Sequence, residues 1–140
     1  MADLERIKSQ AKQEFLEDCR NAGHPEDLWK LIWIIRYIIN DGDYPTEDQD
    51  RADPAVVQRL ALEIVDELLE AGELQASFTN YPITDTYKLE PSSLPRDQIR
   101  RRIEAEWRDL GREPSMCEIV TFTTPAGGRG RAEGVPRSSW

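Results

Sequence analysis

From Asp53-Pro54 to Gly72 the chain carries one wide apolar face at helical spacing, and it then changes period with no linker between. Val56, Val57, Leu60, Ala61, Ile64, Val65, Leu68 and Leu69 form that face. Asp53 is an N-cap residue, Pro54 suits the first helical position, and Gly72 supplies a stop. Beyond it, Leu74, Ala76 and Phe78 alternate with Glu73, Gln75, Ser77 and Thr79, and Tyr87 and Leu89 alternate with Thr86, Lys88 and Glu90. Alternation of this kind belongs to half-buried strands. The expected fold class is therefore α+β and mainly α: a winged-helix-like body of four helices with a small antiparallel β-hairpin or three-stranded sheet. A winged helix is a shape that many regulators press onto DNA. Here the helix's outward positions carry Glu63, Asp66, Glu67 and Glu70 against one Arg59, a charge pattern that opposes a phosphate backbone.

The hairpin loop, Asn80 to Asp85, is longer than a tight turn and holds Tyr81 and Ile83. Upstream, Leu4, Ile7, Ala11, Phe15 and Cys19 recur at three- and four-residue steps, which predicts a first helix from Asp3 to about Ala22 with a narrow apolar stripe. Such a stripe suits packing in its own monomer or pairing with a second copy, so a homodimer through this helix is the alternative. A second helix is expected from Pro25 to near Asn40, with Glu26 and Asp27 in its first turn. Leu28, Leu31, Ile32, Ile35 and Ile39 line one side of it, while Trp29, Trp33 and Tyr37 form an aromatic stripe at i, i+4, i+8. A helix apolar around so much of its circumference is central to its fold, or it lines a groove with the aromatics. A fourth helix is expected from Pro95 to Gly111, with Ile99, Ile103, Trp107 and Leu110 inward and five arginines interleaved with acids elsewhere. The run Ile119 to Thr123 reads as a further strand. Domain bounds follow: an N-terminal helix at 1–23, the winged-helix-like α+β body at 24–124, and a Gly/Arg/Ser tail at 125–140 that has almost nothing to bury and is expected to be disordered.

Charge is unevenly spread along this frame. Residues 1–53 hold 13 acids and 7 Lys or Arg, residues 54–91 hold 7 and 2, and residues 92–140 hold 7 and 9. The first two-thirds is an acidic body within a chain of net charge −9. Such a surface repels nucleic acid and anionic membranes and favours encounter with basic proteins. The longest apolar run, Leu31 to Ile35, spans five residues against the ~20 needed to cross a bilayer, and the start has no signal-peptide pattern, so a cytoplasmic protein is expected. Cys19 and Cys117 form no CxxC and read as buried free thiols.

Catalysis needs a group of tunable pKa beside others that activate it. The chain has one His, His24, at a helix boundary, and no GxSxG, HExxH, Cys/His cluster or glycine-rich phosphate loop. The 41–53 stretch is acid-rich, but its glycine and Pro45 sit where an EF-hand loop cannot have them. No enzyme, metal or cofactor is expected.

The succession of a Leu-Trp-x-Leu-Ile-x-Ile-Ile helix from Leu28, a helix ending Glu-Leu-Leu-Glu-Ala-Gly-Glu-Leu at Leu74, a short hairpin, the segment Ile103 to Pro114 and an Ile-Val-Thr-Phe-Thr close resembles a group of small uncharacterised bacterial proteins, frequent in actinobacteria. The resemblance covers about residues 26–123 and rests on patterning and on the Trp107 to Pro114 signature. Some similarly organised small acidic proteins are immunity partners of polymorphic toxins. The resemblance implies an acidic protein-interaction module, an immunity protein or antitoxin that covers a basic toxin. The resemblance transfers no site residues; the charge pattern itself, on the outward side of the Asp53–Gly72 helix and in the acidic loop before it, makes Glu63, Asp66, Glu67 and Glu70 with Asp48 and Asp50 the expected partner-binding residues. The alternative is a winged-helix transcriptional regulator that binds DNA.

Overall fold

The computed structural model describes residues 3–22, 25–43, 46–78, 92, 94–116 and 118–125. Among the described residues, four helices accompany a small three-stranded antiparallel sheet, an α+β fold that is mainly helical. Helix α1 (Leu4–Asn21) leads into a two-residue strand β1 (Glu26–Asp27) and helix α2 (Leu28–Ile39). One 3₁₀ turn at Glu47–Gln49 precedes helix α3 (Pro54–Glu70), and strand β2 (Gln75–Phe78), helix α4 (Arg96–Leu110) and strand β3 (Val120–Thr123) complete the order.

Each helix begins and ends for a local reason. Asp3 accepts from the Arg6 N–H, Asp27 from the Lys30 N–H and Asp53 from the Ala55 N–H, so three carboxylates satisfy amides that would otherwise lack intrahelical partners. Asp27 moves the start of α2. Pro25 was the expected first helical residue; instead Glu26 and Asp27 are extended and pair with Phe122 and Thr121, and the helix starts only after the Asp27 cap. Helix α3 lies where its signals put it, and α4 closes on Gly111 in the left-handed region at φ +69°.

The sheet order is β1-β3-β2, so the last of the described strands is the central one. Strand β2 finds its described partner in β3, with Ala76 opposite Phe122 and Phe78 opposite Val120. On its other side the Ser92 N–H donates to the Ala76 carbonyl at 2.6 Å. The expected hairpin return, Thr86 to Glu90, and its loop lie outside the described residues, as do His24, Cys117 and residues 126–140.

The core is continuous. Ile7, Ala11, Phe15 and Cys19 of α1 are buried against α2, α3 and β3, so the N-terminal helix is part of the body. Phe15 meets Phe122 edge-on, centroids 5.8 Å apart. Leu28, Leu31, Ile32 and Ile35 of α2, the apolar face of α3, and Ile99, Ile103 and Trp107 of α4 fill the rest. Cys19 is a free thiol; burial first, then Glu26 and Asp18, pushes its pKa up, as suits a packed group rather than a reactive one.

The approach to β3 is tightly held. Glu118 accepts from Arg112 at 2.7 and 2.9 Å and from the Ser115 N–H at 2.6 Å, and these bonds hold its carboxyl down at about 2. Ile119 follows at φ +68°, a costly conformation for a β-branched residue, and its side chain is buried.

One row of the sheet is polar and buried: Asp27, Thr121 and Ser77 lie side by side across the three strands. Asp27 spends its carboxylate on the α2 cap, but the Thr121 hydroxyl has no hydrogen-bond partner among the described residues. An unpaired buried hydroxyl is a net cost. Thr121→Val, which keeps the shape, is therefore expected to raise unfolding free energy by roughly 1 kcal/mol in a denaturant titration. A comparable loss would show that the hydroxyl is satisfied.

Candidate functional site

The acidic residues singled out from the sequence divide into two kinds. Glu67 of α3 accepts from Lys8 at 2.9 Å and from Lys12 at 3.0 Å, both on α1, and Glu63 lies 3.4 Å from Lys8. On the other flank, Asp66 meets Arg96 at 3.0 Å and Arg100 at 3.4 Å, both on α4, and Glu70 lies 3.4 Å from Arg96. The Lys8 bond draws the Glu67 carboxyl below its ordinary range, and Glu67 raises Lys8 in return. The acids of α3 thus fasten it to its neighbours on both sides. Glu70 stays 65 % exposed, whereas Asp66 is 19 % exposed.

Asp50 is internal as well. Its carboxylate meets Arg36 at 2.6 Å and accepts from Asn40 at 2.9 Å and from the Ala52 N–H at 2.8 Å. Arg36 also donates to Glu113. Burial raises the Asp50 pKa, but the Asn40 and Ala52 hydrogen bonds and the Arg36 charge outweigh it and hold the group low. Burial likewise disfavours the charged form of Arg36, and Glu113 and Asp50 more than compensate. This knot ties α2, the 41–53 loop and the segment after α4 together. Asp48, by contrast, is exposed.

Two further acids, not singled out from the sequence, lie elsewhere, beside the aromatic stripe. An open cleft of about 440 Å³ runs between α1 and α2. Trp29, Lys30, Trp33, Ile34 and Tyr37 of α2 line it, with Glu14 and Asp18 of α1. The stripe is thus not core: Trp33 is 41 % exposed, and Trp29 and Tyr37 are half-buried. Helix α2 has two apolar sides because one packs inward through Leu28, Leu31, Ile32 and Ile35 while the other faces this cleft. Trp29 and Trp33 stand with centroids 5.7 Å apart and planes at 62°, an edge-to-face pair that stiffens both rings. Tyr37 sits at the helix end, where Asp41 and Gly42 turn the chain through two left-handed residues; a side-chain carbon at position 42 would lie 3.6 Å from the Tyr37 hydroxyl.

The cleft's charge is lightly compensated. Lys30 is 3.8 Å from Asp18, a loose pair with both side chains over 40 % exposed. Glu14 is reached by the Gln10 amide at 3.4 Å, and no cation lies within ion-pair distance of it among the described residues. The one ammonium of the cleft is therefore loosely paired with Asp18, and Glu14 has no cationic partner among the described residues. Sequence reasoning passed over Glu14 and Asp18, although they carry a signal: like charges at i, i+4 destabilise a helix.

No Ser, Thr, Cys or His is among the side chains that line this cleft, and no group of three or more metal-ligating side chains exists among the described residues. No helix among them is long and apolar enough to cross a membrane. Comparisons with protein-family models, with curated proteins and with solved structures find no match.

Proposed function

We propose that this chain is an acidic protein-interaction module that binds a basic protein, with an immunity protein or antitoxin against a basic toxin as the concrete form. The observation that carries the reading is the cleft between α1 and α2, where aromatic side chains stay at the surface beside undercompensated carboxylates. Aromatic residues in a partly formed pocket with a polar rim are the anchors on which protein interfaces concentrate their binding energy. The net charge of −9 adds steering, since a field of this sign accelerates encounter with a basic surface. Glu70 and Asp48, with exposed carboxylates, contribute to that field. Glu63, Asp66, Glu67 and Asp50 act mainly inside the fold through their ion pairs.

A DNA-binding role has less support. Helix α3, which a winged helix would present to the groove, buries seven residues, and its outer acids are engaged with α1 and α4. An acidic body offers little counterion release to supply affinity.

The test is affinity capture on the immobilised full chain from a bacterial lysate, run beside Trp33→Ala, followed by binding of the recombinant candidate. The reading expects one basic protein, enriched by the wild type and lost with the variant, that binds with a Kd weakening as salt rises. Tight binding of duplex DNA at ~150 mM salt, with no such protein, would overturn it.

A further inference from the structure

We infer that the cleft between α1 and α2 is a receptor for an arginine side chain presented by the basic partner, with the guanidinium stacked on the Trp29/Trp33 pair and paired with Glu14 and Asp18. The inference rests on the protein-binding reading and specifies what is recognised.

Charge complementarity fixes the occupant. An apolar anchor would leave the Glu14 carboxylate beside it without a cation, whereas a cation placed between the rings and α1 meets both. Lys30 does not fill this role, because it stands 3.8 Å from Asp18 with much of its side chain in solvent. Indole faces attract cations at about 0.5–2 kcal/mol, and a planar guanidinium also stacks on a ring and forks toward a carboxylate, which a rounded ammonium cannot do. The two rings stand at 62° and 5.7 Å, and both line the cleft, with Trp33 the more exposed. The same chain already forms one such contact: the Arg102 guanidinium carbon lies 3.9 Å over the Phe78 ring centroid. The volume of about 440 Å³ lies toward the lower end of the range of small-molecule sites.

The test is fluorescence anisotropy on the full chain with an octapeptide bearing two arginines among glycines and serines. Citrulline and lysine versions of the same peptide accompany it. Citrulline keeps the planar side chain and removes the charge. The expected affinities fall about tenfold for citrulline and about threefold for lysine, and Trp33→Ala and Glu14→Gln each weaken the arginine peptide roughly five- to tenfold. Both variants lie at the surface, and an unchanged thermal melt confirms that they fold. Equal binding of the citrulline peptide would overturn the inference, as would affinity indifferent to Trp33 and Glu14, or no binding at millimolar peptide. Dimerisation of the chain abolished by Trp33→Ala would assign the cleft to a second copy and overturn it too. A captured basic protein that depends on Trp33 but tolerates loss of its arginines would leave the protein-binding reading standing and remove this one.

Discussion

Phe122→Ala is expected to lower the unfolding free energy by about 3–5 kcal/mol, the usual loss on truncating a buried phenylalanine. Phe122 is 1 % exposed, it lies on the central strand β3, and its ring meets Phe15 of α1 edge-on. The side chain thus joins helix α1 to strand β3, about a hundred residues apart, and its removal leaves a void between elements that no local segment can refill. For a chain of this size the melting temperature should drop by roughly 10–15 °C. A drop of only a degree or two would mean that β3 is not the centre of the sheet.

Arg36→Met should cost nearly as much, for an electrostatic reason. It leaves Asp50 and Glu113 without their shared cation while both are largely screened from water, and breaking a buried ion pair from one side typically costs about 3–5 kcal/mol. Arg36 and Asp50 keep 20 % exposure, so about 2–4 kcal/mol is expected here. The pH dependence distinguishes this cause from lost packing. Asp50 has its folded-state pKa depressed, so its contribution is present above the unfolded carboxylate value and is lost as pH falls through the folded one. The deficit of the variant should therefore shrink as the pH falls below about 4, where protonation of Asp50 removes the Arg36 pair from the wild type and the uncompensated charge from the variant. A deficit constant from pH 7 to pH 3, measured by urea titration, would assign the cost to packing.

The helices were the legible part of this sequence, because their signals are local. Asp53, Pro54 and Gly72 bracket α3, and Gly111 closes α4, each through a preference that acts within one turn. The start of α2 was misplaced because Pro25 imitates a first helical residue, while the pairing of Glu26 and Asp27 with β3, almost a hundred residues later, cannot be seen from their neighbours. Sheet order was illegible for the same reason: alternation marks a strand but not its partner. Periodicity placed the acids of α3 on its outer side, and that side proved to be flanked by Lys8, Lys12, Arg96 and Arg100 from two other helices. The aromatic stripe was visible, but a pattern of apolar residues does not say which of two faces the core takes. Glu14 and Asp18 gained meaning only when α1 and α2 were set side by side.

The central claim is that a basic partner is taken in the α1/α2 cleft and not along α3. It is tested most directly by two-dimensional NMR on the labelled full chain, following the indole N–H signals as the diarginine octapeptide is added. Trp29 and Trp33 line the cleft, whereas Trp107 is 5 % exposed in the core. The account predicts saturable shifts of the Trp29 and Trp33 signals and of the Glu14 and Asp18 amides, with Trp107 unmoved. Shifts centred on Asp48 and the outer positions of α3, with both cleft indoles unchanged, would contradict it.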